Sequence, residues 1–325
     1  MKKVLFAALL GFCLQYSAYA TPSGAGNAPG CEGLKVATGP VGKGYSKMFA
    51  DVVKVCGDQV SLCEVPTGGG LDNLNSMAVK EAQVGFVQLD TYAGMKGGDE
   101  NVSSLQAVAG MNYNYLHVVA LANGFKVQGE KKWGLLKGDV TTVTIQRFSD
   151  LANTRVALVG SAQLLGRTLN TQLRFKMQII DVESDAKAFE MVRTGAVAAA
   201  MSVSGWPSGP VSGLPASSGL TLIPFDAPIQ APYVVRPVSY KNLGVYNNNL
   251  LAVPNVLLTR PFTGDAAMQV SKLKACLAEK LVDLKEGSYQ PGWNEIKSLD
   301  TTYDIPKFVG KPAGNTVVAP KSSKR

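Results

Sequence analysis

The chain has 325 residues, 46% hydrophobic and 17% charged, with 34 glycines, five cysteines and one histidine. That supplies enough apolar residue for two packed domains and excludes a disordered chain. The formal charge of +8 is spread along the sequence without an interleaved basic and aromatic stripe, which argues against nucleic acid as a partner, and one histidine with scattered cysteines excludes a typical zinc or iron site.

The N-terminus carries Lys2 and Lys3, a short apolar run over 4–12 and then Ala18-Tyr19-Ala20. A charged start, an apolar core and an A-x-A end predict a signal peptide over 1–20, cleaved after Ala20. The apolar run is too short to anchor the chain in a membrane, so the mature protein is expected to be periplasmic. Four cysteines then remain, Cys31, Cys56, Cys63 and Cys276. An even count in an exported chain favours disulfides, and four cysteines allow three connectivities. Cys56 and Cys63 flank the short Gly57-Asp58 turn, which makes them the favoured pair and leaves Cys31 and Cys276 for a second bridge.

Residues 21–33 read as a loose leader and 34–38 as the first strand. A glycine-rich turn follows over 38–46, and then Tyr45, Met48, Phe49, Val52 and Val53 recur at helical spacing. The pattern repeats with a strand over 60–65, a second glycine-rich turn over 66–73, and a helix marked by Leu71, Leu74 and Met77. A third strand over 84–87 ends in Gln88-Leu89-Asp90. Strand–turn–helix repetition predicts a parallel sheet with helical crossovers. Ligands collect at the carboxyl ends of such strands. A strand that turns straight into a helix also presents free backbone N–H groups and the positive end of a helix dipole, which suits an anion. Thr38, Gly39, Lys43, Tyr45, Thr67, Gly68, Gly69, Asn73, Gln88 and Asp90 are therefore one candidate wall of a ligand site. Neither turn is a nucleotide loop: Gly39 and Gly42 are too close for a P-loop, and Lys43 is followed by Gly44.

Strands are expected at 105–110 and 116–122, with His117 read as a packed or edge strand residue, before a charged, exposed connection or hairpin over 124–139. A second unit starts near Val140. It has a helical turn at 148–151, a strand at 155–159, a loop at 160–163 and a helix face of Leu165, Leu169 and Leu173. Ser161, Gln163 and Thr168 are candidate donors at that helix start, and Trp206 stands at the end of a small-residue strand over 196–203. These four are the facing wall. A strand follows at 220–224, then a Pro-, Tyr- and Asn-rich crossover over 231–249, and a strand over 253–259 that returns to the first unit. Val270, Leu273, Leu277, Leu281 and Leu284 mark a long amphipathic helix. The expected lobes are 21–123 with 253–325, and 124–252.

Taken in order, Ala37-Thr38-Gly39 through Gly44-Tyr45, Thr67-Gly68-Gly69 with Asn73-Leu74, Val87-Gln88 with Asp90, Phe148-Ser149-Asp150-Leu151 before Arg155-Val156-Ala157, and Ser204-Gly205-Trp206-Pro207 form a recognisable series. In this the chain resembles the TAXI-type solute-binding proteins of tripartite ATP-independent periplasmic (TRAP) transporters. The resemblance implies an α/β, two-lobed periplasmic-binding-protein fold of type II-like form with a ligand cleft between the lobes. It further implies a small organic anion or amino acid (glutamate-like or a dicarboxylate) as ligand and a membrane permease as partner. A monomer without catalysis or cofactor is expected. The chain departs from the family pattern at Gly70, where a serine is common, and in 160–163, which lacks the usual G-S-G form. Two alternatives stay open: an exported enzyme that reuses the cleft with Asp90 as acid or base, and a scaffold or receptor module without a ligand.

Overall fold

The computed structural model describes residues 31–128 and 139–310. The expected signal peptide, most of the leader behind it, the charged stretch 129–138 and the tail from 311 lie outside the described residues. In chain order the first elements are β1 (Leu34–Gly39), α1 (Gly44–Cys56), β2 (Leu62–Pro66), α2 (Gly70–Ala78), β3 (Val84–Gln88), α3 (Leu89–Met95), α4 (Glu100–Ser103) and β4 (Gln106–Leu121). A hairpin of β5 (Phe125–Gln128) and β6 (Val140–Val143) stands apart as a two-stranded sheet. Then come β7 (Arg155–Val159), α5 (Ala162–Gln172), β8 (Gln178–Val182), α6 (Asp185–Arg193), β9 (Ala199–Ser204), α7 (Gly209–Ser212), β10 (Leu220–Leu222), β11 (Val234–Tyr240), β12 (Val245–Thr259) and α8 (Gly264–Glu286).

The strands lie in the order β2-β1-β3-β12-β4-β9-β7-β8, with β10 added to β4 and β11 to β12. β1 is parallel to β2 and β3, and β7 is parallel to β8 and β9. Each trio forms one lobe of a two-lobed α/β fold. The long strands β4 and β12 run antiparallel between the lobes and belong to both. β12 pairs with β3 from Asn255 to Thr259 and with β11 from Val245 to Ala252. β4 pairs with β12 up to Tyr115, opposite Ala252, and from Tyr115 onward takes β9 as partner.

The core follows this division. In the first lobe, Met48, Phe49 and Val52 of α1 pack with Val270, Leu273 and Leu277 of α8 on one sheet face. Leu74 and Met77 of α2 and Tyr92 of α3 pack on the other. In the second lobe, Leu165 and Leu169 of α5 cover one face of β7–β9, and Phe189 and Val192 of α6 the other. None of the described helices is long and apolar enough to cross a membrane.

Three sequence expectations are corrected. The two strands expected at 105–110 and 116–122 are one 16-residue strand, β4. The polar Asn112 and Asn114 interrupt its apolar pattern, yet both are bonded: Asn255 Nδ2 donates to Asn112 Oδ1 at 3.1 Å, and Asn114 Nδ2 to the Tyr45 hydroxyl at 3.0 Å. The crossover expected over 231–249 contains β11 and the start of β12, paired antiparallel. Pro237 is tolerated there because β11 is an outer strand. The third correction is the disulfide pairing. Cys56 and Cys63 are not bonded to each other; the bridges are Cys31–Cys63 and Cys56–Cys276. Side chains alternate along a strand. Leu62 packs with the α1–α8 cluster, so Cys63, the next residue, points away from it. Cys56, at the end of α1, is buried within that cluster beside Cys276 of α8.

Candidate ligand-binding cleft

Among the described residues, a cleft of about 390 Å³ lies between the lobes. Thr38, Lys43, Tyr45, Gly68 and Gln88 reach it from the first lobe, and Gly160, Ser161 and Trp206 from the second. A smaller chamber of about 200 Å³ adjoins it and shares Gly68, Gly69, Gly70, Gln88, Gly160 and Ser161. Asp90 and Gln163 line this second chamber. The structure therefore brings ten of the fourteen sequence-predicted residues to one composite cleft: Thr38, Lys43, Tyr45, Gly68, Gly69, Gln88, Asp90, Ser161, Gln163 and Trp206.

The other four line neither chamber. Gly39 lies behind the first turn, where its carbonyl accepts from Thr67 N at 3.2 Å. Thr67 donates its hydroxyl to Asn73 Oδ1, and Asn73 Nδ2 donates to the Phe86 carbonyl at 2.7 Å. These two side chains fasten the second turn to β3, and Asn73 is completely buried. Thr168 sits a full turn into α5 and donates to the Leu164 carbonyl of its own helix.

Among the described residues, four helices of nine residues or more start at the cleft: α1 and α2 from the first lobe, α5 and α6 from the second. Of these, α1, α2 and α5 have no side-chain cap. By contrast α4 and α6 are capped by Asp99 and Ser184, while α8 starts uncapped but does not line the cleft. The first-turn N–H groups of α1 and α2 have no intrahelical partners; in α5 Gln163 N donates to the Gly160 carbonyl at 2.9 Å, and the three dipoles add positive potential where they converge. Lys43 and Lys47, both exposed, add charge at the α1 end.

Several predicted side chains are already committed. Thr38 donates its hydroxyl to Glu64 Oε1 at 2.8 Å. Tyr45 donates to Asn255 Oδ1 at 2.7 Å, accepts from Asn114, and stacks on Phe86 with ring centroids 5.3 Å apart. Burial, with the nearby Asp90 charge as a lesser cause, pushes the Tyr45 phenol far above its usual range. Tyr45 thus fixes α1 to β4 and β12 while lining the cleft. Trp206 is held by a 3.4 Å bond from Nε1 to the Ser239 carbonyl. Asp90 accepts from Thr91 N at 2.7 Å and from the Tyr233 hydroxyl at 3.2 Å. Burial outweighs these bonds and holds its carboxyl above the usual carboxylate range. A side chain at Gly70 would stand 3.5 Å from Gln88 N and Oε1, an ordinary contact, so a serine there is sterically admissible.

The structure also brings in residues that sequence reasoning missed. Asn112, Asn114, Asp185, Ser202, Ser204 and Ser208 line the main chamber. Ser204 falls in the Ser204-Gly205-Trp206-Pro207 segment without having been singled out, and no motif marks the other five; a Ser-rich run at a strand end, 202–208, was the available signal. Behind them His117 is completely buried. Its Nε2 is 2.8 Å from the Tyr240 hydroxyl and its Nδ1 3.4 Å from Ser204 Oγ. The Tyr240 hydroxyl also accepts from Ser208 N at 2.7 Å. Burial lowers the His117 pKa to about 4, so the ring is neutral at pH 7.

No family model matches the chain, and no curated protein matches it. Among solved structures, the chain is similar to Tv2483 bound to L-arginine, at 12% identity over 82% of this chain and 92% of that one, with a TM-score of 0.48. It is similar to AbpA, an amino acid ABC transporter substrate-binding protein from Streptococcus pneumoniae bound to L-arginine, at 14% identity over 78% and 90% of the two chains, with a TM-score of 0.46. It is also similar to a TctC solute binding protein from Polaromonas, at 11% identity over 75% and 82%, with a TM-score of 0.45.

Proposed function

We propose that this chain is a periplasmic solute-binding protein that captures a small organic anion or amino acid and hands it to a membrane permease. One observation carries the reading: three uncapped helix N-termini, two from one lobe and one from the other, open onto a single cleft that also holds Lys43 and Lys47. Such ends bind carboxylates without further machinery. Neutral Ser204 and the amides of Gln88 and Asn114 add hydrogen-bonding groups in the same chamber. The resemblance to TAXI-type proteins in the glycine turns supports the choice of transporter class and a monomeric, non-catalytic role. We place the hinge in β4 and β12, where Tyr115 opposite Ala252 changes partner strands. Ligand that touches both lobes favours the closed arrangement by its extra contacts there.

The test is a thermal-shift screen of organic acids and amino acids on ligand-stripped protein. A ligand at 100 times its dissociation constant adds about 2.7 kcal/mol of stability, a shift of several degrees. A flat response to every small anion would count against the proposal.

A second reading, an exported hydrolase, is favoured by the approach of Ser204 Oγ to His117 Nδ1 at 3.4 Å. Against it, the ring's other nitrogen faces the Tyr240 hydroxyl where a triad would put a carboxylate. Ester turnover lost in Ser204→Ala would favour the hydrolase; unchanged solute after long incubation would favour binding.

A further inference from the structure

Two polar atoms in the second-lobe wall of the main chamber have no hydrogen-bond partner although they are buried: Asp185 Oδ1 and Ser208 Oγ. Leaving a buried carboxylate oxygen or hydroxyl unsatisfied is costly, and such groups call for an explanation. Local structure gives none. Ser208 precedes α7 and is 1% exposed, but it does not cap that helix. Pro210, at the second position of α7, has no N–H to offer a cap. The Ser208 backbone is instead pinned from behind by its bond to Tyr240, which His117 faces in turn. Asp185 is the first residue of α6, whose cap is Ser184; its charge suits the positive end of that helix, yet Oδ1 receives no hydrogen bond there.

Both residues line the cleft, so a ligand held there is the available source of a partner, and because one of them is a carboxylate a cationic donor fits. Across the chamber lie Lys43, Lys47 and the uncapped start of α1, which suit the opposite charge. We infer that Asp185 and Ser208 form an ammonium subsite and that the solute is a zwitterion, an amino acid whose carboxylate faces α1 and whose amino group faces the second lobe. This rests on the solute-binding reading above and narrows it: a dicarboxylate would bring a second negative charge toward Asp185.

The experiment compares L-amino acids with their desamino counterparts on ligand-stripped full-length protein by isothermal titration: L-glutamate against glutarate, L-aspartate against succinate, L-leucine against 4-methylpentanoate. At least one amino acid should bind, with its desamino partner weaker by roughly tenfold or more, the scale of a hydrogen bond to a charged group. Asp185→Asn should weaken the amino acid by about 10- to 100-fold and leave the weak binding of the desamino acid unchanged or improved. Its melting temperature without ligand should stay close to the wild type's, because relief of the unpaired buried oxygen is offset by loss of the charge at the start of α6. Ser208→Ala, which removes the hydroxyl alone, should weaken the amino acid several-fold. If a desamino acid binds as tightly as its amino acid and Asp185→Asn changes neither, the ammonium subsite is wrong and solute binding stands. If no compound of either series binds the wild type, both fall.

Discussion

Gly39 and Gly69 pack against each other where the two glycine turns meet. A β-carbon on Gly39 would lie 3.3 Å from Gly69 Cα and 3.7 Å from its nitrogen. Both residues have positive φ, +94° and +135°. The Gly39 carbonyl takes the Thr67 N–H at 3.2 Å, so the turns are joined by a backbone bond as well as by contact. The starts of α1 and α2 are set side by side by this junction, and with them the first-lobe wall of the cleft.

Gly39→Ala tests that junction. The substitution places a side chain in a left-handed conformation and against the Gly69 backbone. A cost of about 1–3 kcal/mol is expected, seen as a lower urea midpoint with an unchanged slope. Ligand affinity should fall too, because the turn must shift and carries the α1 N-terminus with it. Gly42→Ala is the control. It also has positive φ, +74°, but a β-carbon there meets nothing within 4 Å, so it should lower stability without the larger loss of binding.

Tyr45→Phe separates scaffold from ligand contact. Removing the hydroxyl leaves Asn255 Oδ1 and Asn114 Nδ2 without their shared partner, in a region where Asn255 is completely buried. The expected loss is about 1–3 kcal/mol of stability, measured by chemical denaturation. The ring and its stacking on Phe86 remain, so affinity for any ligand found should change by no more than about threefold, under 1 kcal/mol. A much larger loss with stability intact would show that the hydroxyl contacts the ligand.

The first lobe was largely legible in the sequence because its pattern is local. A strand, a glycine turn and an amphipathic helix can each be read within a dozen residues, and Thr38, Lys43, Gly68 and Gln88 follow from their place at strand ends. The middle of the sheet was not. β4 and β12 are held by side chains far apart in sequence, such as Tyr45 with Asn255 and Asn112 with Asn255. Single-strand periodicity cannot see that a buried asparagine is satisfied from another strand. Asp185 and Ser208 escaped for a related reason. Each is an ordinary helix-start residue in sequence, and it is the absence of a local partner, visible only in three dimensions, that sets it apart. Thr67 and Asn73 erred in the opposite direction: polar residues at a strand end turned out to hold the turn together.

The disulfides give a chemical test of the connectivity. A non-reducing digest with a protease that cuts between Cys56 and Cys63, at Asp58, should yield one linked peptide pair containing Cys31 and Cys63 and another containing Cys56 and Cys276. The second bridge spans 220 residues and ties α1 to α8; the first spans 32. Cross-links that close longer loops restrict the unfolded chain more. Cys56→Ala with Cys276→Ala should therefore cost about 2–5 kcal/mol, more than the equivalent double change at Cys31 and Cys63. Recovery of a Cys56–Cys63 peptide from native protein would contradict the fold at α1 and β2.

Acid should weaken the protein through His117. Its pKa falls from 6.5 in a solvated chain to about 4 here, and burial is the cause. Between those values the unfolded chain binds a proton that the folded protein refuses, so stability rises with pH across this window. The contribution is complete above about pH 6.5 and is lost progressively as pH falls toward 4. A difference of this size corresponds to roughly 3 kcal/mol at the acid end. Asp90 and Glu295 act in the opposite sense, because burial holds both carboxyls above the usual range and the folded state takes up their protons first. The His117 term is isolated by comparing wild type with His117→Gln, whose side chain cannot be protonated but still offers a donor and an acceptor to Tyr240 and Ser204. Urea midpoints at pH 4.5, 5.5 and 7.0 should show the gap between the two proteins closing, or reversing, as pH falls. Parallel curves would mean that His117 is protonated in the folded protein, or that the acid response belongs to the carboxyls. The same ring stands behind Ser204 and, through Tyr240, behind Ser208. His117 should accordingly add no pH dependence of its own to ligand affinity from pH 7 down to about 5, since the neutral ring keeps both serines in place; a change shared by wild type and His117→Gln in that range belongs to Asp90, whose raised carboxyl lines the second chamber.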